Sequence, residues 1–134
     1  MSTTPRLDHI LEVAVYVEDL DRSTAFYRDT LGFDVIDEDE RLRALGVGGR
    51  QLLLLCKKGA SANLPVGAHD ADGRQHVAFA IRASDLEAWQ TWLAERGVML
   101  EETRRWARGG VSLYFRDPDG HLIEVATPGV WSVY

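Results

Sequence analysis

The pattern of the 134 residues predicts an α+β fold, with tandem βαβββ modules forming a curved sheet around a cleft. Three observations predict it. The alternating stretch Glu12-Val-Ala-Val-Tyr-Val-Glu18 returns as His76-Val-Ala-Phe-Ala-Ile-Arg82, an offset of 64 (76 − 12). An Asp-Leu pair follows each copy, Asp19-Leu20 and Asp85-Leu86, and opens a helical pattern that Gly32 and Gly97 close. Three strand-like segments come after each of those glycines. Self-similarity at a nearly fixed offset is the mark of a duplicated unit.

The elements can be justified in order. In the first strand Val13, Val15 and Val17 share one face, and Glu12, Ala14 and Tyr16 share the other, because successive strand side chains alternate. Leu20, Ser23, Phe26, Tyr27 and Leu31 then recur near a 3.6-residue period, with Asp19 placed to cap the first free N–H groups and Gly32 able to turn left-handed. The segments 33–37, 41–47 and 51–56 read as strands, with Gly48-Gly49 as a tight turn. Residues 58–75, rich in glycine, proline and aspartate, read as a linker. In the second copy Val77, Phe79 and Ile81 oppose His76, Ala78 and Ala80. Leu86, Trp89 and Leu93 mark the helix with Asp85 as its cap, and strands are expected at 98–100, 111–115 and 121–126. The turn Asp117-Pro-Asp-Gly120 joins the last two. The expected layout is one domain over 1–134, with module 1 at 7–57, the linker at 58–75 and module 2 at 76–131.

Composition narrows the class. Fifteen Lys and Arg against twenty-one Asp and Glu give a net charge of −6, which argues against a nucleic-acid or anionic-membrane partner. The longest apolar run, Leu52 to Cys56, is far below the ~18 residues a membrane helix needs. The lone Cys56 excludes an intrachain disulfide framework. A cytoplasmic protein that takes a small-molecule substrate is expected.

Parity singles out three residues. Glu12 and His76 hold equivalent positions at the start of each module, and Glu124 stands mid-strand between Ile123 and Val125. Each alone has a plain reading as a solvated or hydrogen-bonded residue. Together, one imidazole and two carboxylates converging on a cleft would suit Mn, Fe, Ni or Zn, since a buried carboxylate must be paired, hydrogen-bonded or coordinated. The residues sharing the inward faces, among them Ala14, Ala78, Ala80 and Ala126, leave room for a flat or aromatic substrate, with Tyr16, Ser112 and Tyr114 able to bond its oxygens.

Two stretches add a resemblance. Val17-Glu-Asp-Leu-Asp-Arg-Ser-Thr-Ala-Phe-Tyr-Arg-Asp-Thr-Leu-Gly-Phe33 and Leu113-Tyr-Phe-Arg-Asp-Pro-Asp-Gly-His-Leu-Ile-Glu124 resemble the two signature stretches of the vicinal oxygen chelate superfamily. That superfamily includes glyoxalase I, fosfomycin-resistance enzymes, bleomycin-resistance proteins and extradiol dioxygenases. The resemblance spans residues 7–131 and implies a divalent metal ion held by Glu12, His76 and Glu124, with Glu12 standing where relatives carry His or Gln. His9 is the competing residue, but its parity places it with Leu11 and Val13. It further implies Glu12 or Glu124 as the catalytic base and Ser112 and Tyr114 as substrate contacts, to which strand parity adds Tyr16. His69 of the linker is a candidate acid–base residue; His121 reads as structural or surface. A fourth ligand, used by glyoxalase I, would fall on Leu53 or Leu54, neither of which binds metal. The implied activity is that of a metal-dependent lyase, isomerase, transferase or dioxygenase, against the alternative of a non-catalytic protein that sequesters a drug or metabolite. A homodimer is implied too, in which Glu12 reaches the ion held by His76 and Glu124 of the other chain.

Overall fold

The computed structural model describes residues 3–134. Module 1 runs β1 (Glu12–Val17), α1 (Leu20–Leu31), β2 (Asp34–Glu38), β3 (Leu42–Val47) and β4 (Gln51–Lys57). Module 2 runs β5 (His76–Ala80), α2 (Leu86–Glu95), β6 (Glu102–Arg105), β7 (Val111–Arg116) and β8 (Leu122–Ala126). Each module forms one four-stranded sheet, in the orders β1-β4-β3-β2 and β5-β8-β7-β6. The first and last strand of each module pair in parallel and the others antiparallel. Tandem βαβββ modules are therefore present, as two mixed sheets with no closed barrel. No helix among the described residues is long and apolar enough to cross a membrane.

Local chemistry explains most boundaries. Asp19 caps α1 by accepting the Arg22 N–H at 3.0 Å, and Gly32 ends it at φ 74° while its N–H bonds the Arg28 carbonyl at 3.1 Å. The expected twin at Asp85 differs: a single 3-10 turn, Ala83–Asp85, precedes α2, and the Asp85 side chain makes no capping bond. The strand expected at 98–100 is also corrected. Val98 and Leu100 pack against the core from an irregular segment, and the paired strand is Glu102–Arg105, fully exposed and charged. Charge on an outermost strand discourages further pairing, and it also hides the strand from a search for apolar alternation.

One core serves both modules. Val15, Val17, Leu53 and Leu55 of the first sheet and Leu113, Phe115, Ile123 and Val125 of the second are buried in a single cluster with Tyr27, Leu31 and Leu93 of the helices. Phe26 lies 6.4 Å from Phe115 and Phe33 lies 5.1 Å from Phe79, ring centre to ring centre. The sheet faces that carry Glu12 and His76 are the opposite ones, and both residues are exposed.

Hydrogen bonds latch the modules at the Asp117–His121 turn. The Tyr27 hydroxyl donates to Asp117 at 2.7 Å, and the second oxygen of Asp117 accepts the N–H groups of Asp119 and His121, each at 2.9 Å. Burial and this carboxylate push the Tyr27 phenol far above its ordinary value. Asp119 accepts from the Glu18 N–H at 3.0 Å and from the Ser23 hydroxyl at 3.1 Å, at the entry to α1. Buried His121 accepts the Gln75 N–H on Nδ1 (2.9 Å) and donates from Nε2 to the Tyr16 carbonyl (2.7 Å). The Gln75 side chain accepts the Tyr16 N–H at 3.0 Å. Of the two readings open for His121, burial selects the structural one over the surface one, and both backbone groups of Tyr16 on the free edge of β1 are satisfied by module 2 or its approach.

Candidate metal centre

The outward face of module 2 builds the site. The β5–β8 register sets His76 beside Leu122 and Ala78 beside Glu124, while β7 brings Tyr114 opposite Glu124. His76 Nδ1–H donates to the Leu122 carbonyl at 2.8 Å. That bond leaves Nε2 as the nitrogen directed to Glu124 Oε1, 3.2 Å away. An imidazole nitrogen and a carboxylate oxygen at that range need a cation or a proton between them. Ligands about 2.1 Å from one ion stand about 3.0 Å apart in octahedral geometry and about 3.4 Å apart in tetrahedral geometry. The observed pair falls between these values, and one imidazole nitrogen and one carboxylate oxygen suit a divalent ion.

The carboxylate is held from behind. Glu124 is only 6% exposed, and its Oε2 accepts from the Ser112 hydroxyl, which in turn accepts the Trp106 indole N–H at 2.9 Å. Ser112 is fully buried. The substrate contact expected of it is corrected, because its proton is committed to Glu124 and no surface of it is open to a ligand. Tyr114 lies beside the pair, with its ring 6.4 Å from that of His76. Burial, and then the charge of Glu124, raise its phenol above the ordinary value, so it is a hydroxyl donor.

A cavity of about 430 Å³ opens over this pair, with His76, Glu124, Tyr114 and Trp106 on its polar side and Ala78 and Ala80 on its floor. Val130, Trp131 and Tyr134 complete its rim. These C-terminal residues lie on irregular backbone, where sequence periodicity gives no signal. The tail is seated by a close crossing of two glycines. A Cβ on Gly110 would stand 2.4 Å from the Gly129 carbonyl carbon, so neither position has room for a side chain.

Module 1 carries the remaining expected residues elsewhere. Glu12 and Tyr16 do not line the cavity of His76 and Glu124, and no group of three potential metal ligands forms within one chain among the described residues. The Tyr16 hydroxyl bonds His69 Nδ1 at 2.5 Å, and burial raises its phenol first, helped by neighbouring Cys56. The register also decides the fourth-ligand position. Glu12 faces Leu52 as His76 faces Leu122, so Leu54 is the counterpart of Glu124, and Leu53 points into the core at 1% exposure.

Residues 6–125 match the model of the Glyoxalase/Bleomycin resistance protein/Dioxygenase superfamily. The chain belongs to this superfamily. It is 36% identical over 119 residues to the metallothiol transferase FosB of Staphylococcus haemolyticus, covering 88% of this chain and 82% of that protein. The crystal structure of a lactoylglutathione lyase from Agrobacterium tumefaciens superposes with a TM-score of 0.89 at 30% identity, covering 96% of this chain and 99% of that one. An integron cassette protein from the mobile metagenome of the Halifax Harbour sewage outfall follows the same path, with a TM-score of 0.76, 30% identity, and coverage of 90% and 99%. These superfamily relatives support a metal-dependent enzyme and leave the reaction open.

Proposed function

We propose that the protein is a metal-dependent enzyme of the transferase type, acting on a small substrate that presents two adjacent oxygens to the ion. The carrying observation is the His76–Glu124 pair: Nδ1 is spent on the Leu122 carbonyl, Nε2 faces Oε1 at 3.2 Å, and a cavity lies above. Likeness to FosB favours transfer chemistry. Leu54, at the rung where a fourth ligand would sit, speaks against the lyase reaction.

His76 and Glu124 would hold Mn, Fe, Ni or Zn, and the partner subunit's Glu12 would complete the set across a two-fold axis. Glu12 and His76 are both exposed at the start of their strands, as that homodimer requires. A bound dication supplies Lewis acidity at the substrate oxygens. Glu124, with both oxygens engaged, serves as a fixed ligand, which leaves Glu12 as the proton acceptor. Tyr114 donates its hydroxyl to the substrate, and Trp106 and Ser112 keep the carboxylate oriented. The aromatic rim favours one second reading, a protein that captures a drug or metabolite without turnover.

Metal analysis of protein purified without chelator tests the proposal. About one divalent ion per chain is expected, lost in His76→Ala and Glu124→Ala. Variants that retain the ion as the parent does would overturn the assignment. Sedimentation of the loaded protein as a monomer would remove the role of Glu12. Stoichiometric capture without product would select the second reading.

A further inference from the structure

Resting on the proposed metal site, we infer that the substrate carries a planar, unsaturated ring next to its oxygen pair, and that Trp131 of the C-terminal tail is the residue that selects it. The floor of the cavity beyond the ligand pair is a strip of methyl groups. Ala78 lies beside Glu124, and Ala80 beside Ala126, on two adjacent strands. Ala78 and Ala80 are exposed in the single chain, so the strip is open within it. At about 3.3 Å per residue, Ala78 and Ala80 stand about 6.6 Å apart along the strand.

The sides of the cavity are aromatic. Trp106 is fixed by its N–H on Ser112 and forms a wall that cannot turn without giving up that bond. Trp131 lines the same cavity and is 71% exposed in the single chain. Its backbone is anchored on both sides. The Gly110 N–H bonds the Gly129 carbonyl at 3.2 Å, the Gly129 N–H bonds the Tyr134 carbonyl at 2.8 Å, and the Tyr134 hydroxyl donates to the Ile81 carbonyl at 2.7 Å. A pinned backbone with a free indole at the mouth of an apolar slot is suited to cover one face of a ring. An aliphatic chelator would reach the ion and leave that surface uncovered.

Two probes separate ring contact from chelation: 4-nitrocatechol, a ring with adjacent oxygens, and acetohydroxamate, an aliphatic chelator. Binding to the Mn-loaded full-length protein is read by the nitrocatechol absorption shift and by competition. Trp131→Ala is expected to weaken 4-nitrocatechol about 5- to 10-fold, with acetohydroxamate and Mn affinity within about twofold of the parent, and Trp131→Phe to restore most of the loss. Equal weakening of both probes, or no weakening of either, overturns the role of Trp131. Nitrocatechol binding that survives chelator but is still weakened by Trp131→Ala would sink the metal site and leave the ring contact standing.

Discussion

Rung for rung, the outward faces of the two modules carry different residues at matching positions. Where module 2 has His76, Glu124, Ser112 and Tyr114, module 1 has Glu12, Leu54, Leu42 and Ala44. The backbone path is duplicated and the donor atoms are not. Ser112 and Glu124 form a buried polar chain that only works as a set, because each buried group satisfies the next. Its counterpart in module 1 is a leucine pair with no such demand. Duplication thus supplies two platforms, and only one carries the His76–Glu124 pair; the other keeps a single carboxylate and a phenol.

The largest effects should come from the ligand pair itself. Glu124→Ala and His76→Ala are expected to reduce metal affinity by more than about 100-fold in a titration with Mn(II), whereas Leu54→Ala should leave it within about twofold. Metal binding that responds equally to both modules would end the contrast.

Next comes the latch that holds the unlike halves together. Asp117→Ala strips acceptors from the Tyr27 hydroxyl and from two backbone N–H groups, and about 3 kcal/mol of stability should go with them, a fall of about 10 °C in the Tm of the metal-free protein. Tyr27→Phe should cost about 1–2 kcal/mol, since Asp117 keeps its backbone partners. A melting curve that splits into two transitions would show the modules as separate folding units, against the shared core.

Ser112→Ala should lower Mn affinity by about 10- to 100-fold without loss of fold, with Ser112→Thr restoring much of it. Unchanged affinity in the alanine variant would reduce the buried chain to packing. The mildest change probes the empty rung. Leu54→Glu, in a dimer whose faces meet, should tighten Mn binding by about 3- to 10-fold. No change would mean that the two platforms do not face one ion.

Much of this was legible in the residues. Parity sorted His76 and Glu124 onto one side of their own strands, the β5–β8 register puts those sides on one face, and an isolated carboxylate between Ile123 and Val125 is conspicuous because burying it requires partners. The orientation of His76 was not legible, since its determinant is a carbonyl 46 residues away. Ser112 was singled out for the wrong contact for a similar reason: composition shows a hydroxyl, and only the Trp106 indole shows where its bonds go. The strand at Glu102–Arg105 escaped because an outermost strand in water need not alternate, while Val98 and Leu100 imitated one from a loop. Trp131 escaped because tail backbone has no period to read.

The latch has a further consequence for kinship. Asp19, Ser23 and Tyr27 in one recognisable stretch, and Asp117 and Asp119 in the other, meet at the joint between modules or set the helix that enters it. Of the residues in those stretches, only Tyr114 and Glu124 line the cavity. Likeness in these stretches therefore measures inheritance of a joint far more than inheritance of a chemistry. Two descendants of one ancestor can keep every bond of that joint while exchanging the donors on both platforms, so ancestry is easy to see in this chain, and the reaction has to be sought on the platforms themselves.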